Sequence, residues 1–154
     1  IRNKFILIDE KKLLSLNYRE NFSDISFIES IRIKEKLEKE KSVYLFIKDC
    51  LNNINEDFFI FLIFGSFVEK TKFNDIDIVI ILDNSRNINV VERIIKNIAS
   101  NFSFKVDFQV INKESASNMF SKREQINILN ESLNKHLIVF GGDNYYRILS
   151  NARR

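Results

Sequence analysis

With a single cysteine, Cys50, the 154-residue chain can form neither an internal disulfide nor a zinc site built on several cysteines. Cys50 falls in a segment of apolar periodicity, so it reads as a buried structural thiol. No stretch approaches the roughly 18 apolar residues that a membrane span requires, and the opening residues carry no pattern of a secretion signal. A membrane partner is therefore not expected, and a reducing, cytoplasmic setting is. Charge of one sign is lacking too: 24 Lys and Arg are interspersed with 21 Asp and Glu, for a net charge of +3. That balance permits contact with nucleic acid without arguing for it. Proline is absent, a compositional bias to which no function attaches. There are no internal repeats and no low-complexity segment. The chain opens on Ile1 rather than methionine, so any upstream domain would lie outside this sequence.

What is present is enough apolar residue, 45% of the chain, to bury one core of ordinary size, which predicts one main domain. Its centre of gravity is the stretch from Phe58 to Leu82. Phe58 to Phe64 is wholly apolar, as in a strand buried on both faces, and it runs into Gly65-Ser66. A glycine there lets a ligand approach the backbone, and a helical turn after it would offer free N–H groups and the Ser66 hydroxyl to phosphate oxygens. Eight residues further on, Asp75 to Leu82 alternates as a strand, with Asp75, Asp77, Val79 and Ile81 on one face. Two carboxylates held roughly 7 Å apart on one face repel unless something positive lies between them. Hard cations such as Mg²⁺ take carboxylate oxygens and share their other positions with water and substrate phosphates. The pairing of turn and carboxylates points to a nucleotide.

Around this stretch the periodicities predict further elements. Residues 4 to 8 have strand composition and run into a turn at Asp9 to Lys12. Ser23-Asp24 is a candidate cap for one long helix from Ile25 to Asn53, with Ile28, Ile31, Tyr44, Ile47, Leu51 and Ile54 at helical spacing. Lys34 to Lys41 is charged everywhere but at Leu37, with both signs mixed, which reads as a solvated face. Val91, Ile94, Ile95, Ile98 and Phe102 form the apolar stripe of a second helix. Phe104, Val106, Phe108 and Val110 then alternate with Lys105, Asp107 and Gln109, so Asp107 projects away from four large apolar residues. If that strand lies beside Asp75 to Leu82, three carboxylates can share a face. Glu114 to Leu133 predicts a helix with Met119, Phe120, Ile126, Leu129 and Leu133 as core contacts. His136 to Phe140 predicts a short strand ending at a Gly141-Gly142 turn, and Asn144 to Leu149 a final helix. The lone His136 reads as structural.

Phe64-Gly65-Ser66, Asp75-Ile76-Asp77 and Asp107 together resemble the nucleotidyltransferase superfamily that includes DNA polymerase beta, in particular its minimal single-domain members. The resemblance covers residues 55 to 112. It implies an α/β (α+β) fold with a mixed central sheet flanked by helices, the catalytic domain spanning 23–154 with its core motifs in 58–111. Residues 1–22 would be an N-terminal arm, read either as the end of an upstream winged helix of the kind similar archaeal proteins carry, with DNA contact through it, or as a plain edge strand. It further implies Asp75, Asp77 and Asp107 as catalytic residues and ligands of two Mg²⁺ ions, and Gly65 and Ser66 as the phosphate-binding turn. The substrate would be a nucleoside triphosphate, ATP foremost, and the acceptor a hydroxyl on a protein, an RNA or a small molecule. Members similar to this chain also serve as antitoxins, which makes a cognate toxin a further candidate partner. One departure stands out: eight residues separate Ser66 from Asp75, where the family commonly has about ten, and Val68-Glu69-Lys70 stands where a small residue, an arginine and a glycine are usual. Two other functions remain open: a catalytically silent nucleotide-binding or DNA-binding regulatory module, and a scaffold that binds a partner through Lys34 to Lys41.

Overall fold

A computed structural model describes residues 5–154. Its centre is a four-stranded mixed sheet in the order β5-β4-β3-β6, with β3 Phe59–Phe64, β4 Asp75–Leu82, β5 Lys105–Asn112 and β6 His136–Phe140. The expected mixed sheet with flanking helices is thus observed. β3 runs antiparallel to both β4 and β6, whereas β4 and β5 are parallel. β3 and β4 occupy the middle, which is why both read as almost unbroken runs of Ile, Leu and Phe.

Alternate residues of these strands feed two cores. Phe61, Ile63, Ile76, Ile78 and Ile80 face one side, where α2 (Lys41–Asn53) brings Val43, Phe46, Ile47 and Cys50, and α4 (Ile88–Ala99) brings Val91 and Ile95. Ile60, Leu62, Val79 and Ile81 face the other, covered by Ile25 of α1 (Tyr18–Glu38), Ala116 and Phe120 of α5 (Lys113–Ser121), and Tyr145, Ile148 and Leu149 of α7 (Gly142–Ala152). Full burial of such side chains contributes about 1.5–3 kcal/mol each, so the two faces clamp the strands firmly. Cys50 is fully buried, as expected.

Two long predicted helices are each broken in two. The segment expected as one helix from Ile25 to Asn53 starts earlier, at Tyr18, and stops at Glu38 before α2 begins at Lys41; Ser23-Asp24 lies inside α1 rather than capping it. The reason is the charged stretch itself: no side chain from Glu38 to Lys41 has an apolar surface to bury, and Glu40 turns to φ −127°, ψ 71°. The two halves then bury different stripes, so Ile28, Ile31 and Tyr44 are exposed rather than in the core. The helix expected over 114–133 divides into α5 and α6 (Ile128–Ser132) because asparagines hold the loop between them. Asn127 accepts from the Asn130 N–H to cap α6 and donates to the Met119 carbonyl, while Asn130 donates to the Lys122 and Gln125 carbonyls. Ile126, expected in the core, sits in that loop at 85% exposure.

Of the N-terminal arm, Ile1 to Lys4 lie outside the described residues. Ile6–Ile8 forms β1 and pairs antiparallel with β2, Leu14–Leu16, which no sequence signal singled out. No helix among the described residues is long and apolar enough to cross a membrane.

Candidate active site

β3 ends at Phe64 and hands the chain to Gly65, whose φ of 73° and ψ of −151° suit glycine alone. A Cβ built on Gly65 would collide with Asp77 Oδ2 and lie 3.1 Å from Asp77 Cγ. The missing side chain is therefore what allows the Asp77 carboxylate to lie over the turn. A single helical turn, α3 (Ser66–Glu69), follows. The Ser66 hydroxyl donates to Asp75 Oδ1 at 3.2 Å, so turn and first aspartate are joined directly.

The parallel register of β4 and β5 sets Asp75 beside Lys105 and Asp77 beside Asp107. In-register residues on neighbouring strands point to the same face, so all three aspartates and Lys105 share one side of the sheet. The row continues: Asp77 pairs with Phe64, and Phe64 with His136. Asp75 and Asp77 are half-buried and Asp107 is exposed. Burial, then the neighbouring charges of Asp75 and Asp107, push the Asp77 carboxyl above its usual range, against a smaller opposing pull from Lys105. Lys105 Nζ lies 2.7 Å from Asp107 Oδ2, and that hydrogen bond holds the ammonium above its ordinary value.

From sequence alone Lys105 has a place only in the alternation of its strand and no part in the site. The signal for its closer involvement was its place two residues before Asp107 on the same strand face. The expected meeting of three carboxylates is only partly realised: among the described residues no three carboxylates, histidines or cysteines are grouped so as to hold a metal ion. Asp107 is turned to Lys105, and like charges without a cation between them gain nothing by closing up. The donor chemistry of Asp75 and Asp77 still suits Mg²⁺, which needs only one or two carboxylates when phosphate and water complete its shell. The elevated Asp77 carboxyl marks the negative charge that a cation would relieve.

A family model described as Polymerase beta, Nucleotidyltransferase matches residues 46–132, more than half of the chain. The chain belongs to that family. No curated protein and no solved structure matches it. The matched span runs from within α2 to the end of α6 and so takes in Gly65, Ser66, Asp75, Asp77 and Asp107. Membership in the polymerase beta nucleotidyltransferase family gives the domain a nucleotidyltransferase-type activity with a nucleotide as substrate.

His136, two strands from Asp77, lies in a buried polar knot in keeping with the structural reading. Its Nδ1 lies 2.9 Å from the Ser132 carbonyl and its Nε2 3.6 Å from Glu29 Oε1. The Tyr146 hydroxyl donates to Glu29 Oε1 at 3.0 Å, and Arg32 Nη1 lies 2.9 and 3.0 Å from the two Glu29 oxygens. Sequence reasoning missed Glu29 because it sits in the mixed-charge helix, where an acid looks solvated.

Proposed function

We propose that this domain moves a nucleoside monophosphate from a nucleoside triphosphate, ATP foremost, to an acceptor hydroxyl. The observation that carries this reading is the shared strand face of Asp75, Asp77 and Asp107 beside a turn that only glycine can make. In this reading Asp75 and Asp77 would hold Mg²⁺, which when bound neutralises triphosphate charge and lowers the pKa of a bound hydroxyl. Ser66 orients Asp75 through their hydrogen bond, and the N–H groups of Ser66 and Phe67 at the start of α3 donate to phosphate oxygens, that of Val68 being bonded to the Gly65 carbonyl. Asp107, whose Oδ2 lies 2.7 Å from Lys105 Nζ, accepts the proton of the acceptor hydroxyl once the two come within hydrogen-bond reach. The hydroxyl oxygen attacks the α-phosphorus in line, the bond to the bridging oxygen breaks, and pyrophosphate leaves with its electron pair.

Incubation with each α-labelled nucleoside triphosphate and Mg²⁺, with label followed into protein, nucleic-acid and small-molecule fractions, tests the reading. Transfer lost in Asp75→Ala is the expected result. Nucleotide binding with no transfer from any of the four nucleotides would instead favour a silent regulatory module.

A further inference from the structure

The turn that carries Ser66 is too short to hold its own shape. α3 has four residues, far fewer than a helix needs to persist without help from its surroundings. Its internal fastenings are two backbone bonds, from the Val68 N–H to the Gly65 carbonyl at 3.2 Å and from the Lys70 N–H to the Ser66 carbonyl at 2.9 Å. Phe67 is fully buried and meets Phe73 edge to face, with ring centroids 4.8 Å apart. One buried side chain fixes a point of the turn and leaves the rest free to pivot about it. Two lysines reach the turn from other parts of the chain. Lys135 Nζ lies 2.9 Å from Glu69 Oε1, but both side chains are about half exposed, and such a pair contributes little.

Lys36 is placed differently. It stands in the last turn of α1, 34 residues upstream of Lys70. Its Nζ donates to the Lys70 carbonyl at 2.9 Å and lies 4.9 Å from the centroid of the Phe67 ring. One ammonium thus touches the second residue of α3 and the residue just past its end. Both contacts suit a cation, because the C-terminal end of a helix is its negative end and the face of an aromatic ring attracts positive charge within about 6 Å. Among the described residues Lys36 has no carboxylate within ion-pair distance. Lys34 to Lys41 reads in sequence as a solvated face, and Lys36, partly buried against the turn, is an exception to it.

The position of the turn governs two acids. The Ser66 hydroxyl donates to Asp75 Oδ1, and the Asp77 carboxylate lies over Gly65. A pivot of α3 would loosen both contacts together. We propose that Lys36 is a positioning residue of this site, holding α3 from α1 so that Ser66 stays on Asp75 and Gly65 under Asp77. That role rests on the nucleotidyl-transfer reading for what the acids do, though the hold on the turn does not. Two measurements on the full 154-residue chain test it. The first is amide hydrogen exchange without nucleotide, in which Val68 and Lys70 report the turn directly. Lys36→Met is expected to speed exchange of both amides on the order of tenfold, with β3 and β4 and the melting temperature nearly unchanged. Lys36→Arg is expected to restore the slower rates, since a guanidinium also donates to a carbonyl and stacks on an aromatic ring. Lys135→Met is expected to leave them as they are. The second is label transfer from α-labelled ATP with Mg²⁺, in which Lys36→Met is expected to raise KM on the order of tenfold while kcat changes less, and Lys36→Arg to recover it. Parental exchange at Val68 and Lys70 in Lys36→Met overturns the proposal, as does a parental KM in a chain that transfers label, or an arginine variant no better than the methionine one. Faster exchange throughout β3 and β4 overturns it too, as a loss of stability rather than of position. Faster exchange confined to the turn, in a chain that transfers no label from any nucleotide, keeps the hold on the turn and removes the nucleotidyl-transfer reading alone.

Discussion

Asp77 and Asp107 lie side by side in the parallel register of β4 and β5, two like charges on adjacent strands with Lys105 bound to one of them. Such a pair opposes folding, since nothing in the sheet requires acids at those positions. Asp77→Ala is expected to reduce nucleotidyl transfer by on the order of a thousandfold, with a melting temperature unchanged or slightly higher. Label transfer and a thermal melt of the same preparation check both halves, and retained transfer would remove Asp77 from the site.

The raised Asp77 carboxyl also fixes a sign for pH. Its native state binds the proton more tightly than the unfolded chain does. Its contribution to stability is therefore most favourable below the ordinary aspartate value of 3.8, and it falls as pH rises through the higher native value. Urea midpoints of the unaltered chain and of Asp77→Asn, compared across that window, are expected to diverge, with the unaltered chain losing stability relative to the variant as pH rises. Parallel curves would show that neither burial nor the neighbouring acids perturb Asp77.

Gly65→Ala separates the turn from the charges. The substitution forces a side chain into a φ of 73° and drives a methyl group into the Asp77 carboxylate. Backbone strain alone costs about 1–3 kcal/mol in this region, which is essentially confined to glycine, and the displaced carboxylate should abolish transfer as well. A chemical melt and a transfer assay measure the two effects. A variant as stable and as active as the parent would mean that the turn is not built around Asp77.

Lys105 is the sheet's own cation for this cluster, so its removal should increase the demand for another. Lys105→Gln leaves Asp107 without its 2.7 Å partner and takes away the pull that opposes the rise at Asp77. The expected outcome is a larger stabilisation by Mg²⁺ than in the unaltered chain, read as the shift in melting temperature across a magnesium titration. An equal shift in both proteins would place the cation elsewhere.

Much of this arrangement could be read from residue order alone, because strands expose their facing by alternation. Asp75, Asp77 and Asp107 each fall on the polar phase of an apolar strand, and a parallel β4–β5 pairing aligns them. The turn was legible through Gly65. Helix breaks were not: Lys34 to Lys41 keeps helical propensity throughout, and only the lack of a surface to pack against ends α1 at Glu38. The loop of 122–127 was hidden in the same way, since its shape comes from hydrogen bonds of Asn127 and Asn130 across several residues. Lys36 and the turn of 66–70 are remote in sequence, and no local pattern announces that they meet.

Glu29 shows most plainly what a helical pattern conceals. It is 5% exposed and ties α1 to α7 through the Tyr146 hydroxyl, with Arg32 as its counter-ion on the same helix. Burial, and then the Glu29 charge, push that hydroxyl far above its usual range, so it stays protonated and donating at any working pH. Tyr146→Phe removes one hydrogen bond to a charged group and should cost about 1–3 kcal/mol. Arg32→Met withdraws the cation from a buried carboxylate, a loss moderated because the arginine is half exposed, and should cost about 1 kcal/mol. Adding Glu29→Gln to Arg32→Met is expected to recover part of that loss, since the amide still accepts from Tyr146 without an unpaired charge. Urea melts of the two single variants and the double variant measure the difference. A double variant less stable than Arg32→Met would mean that the carboxylate is held by something other than its arginine.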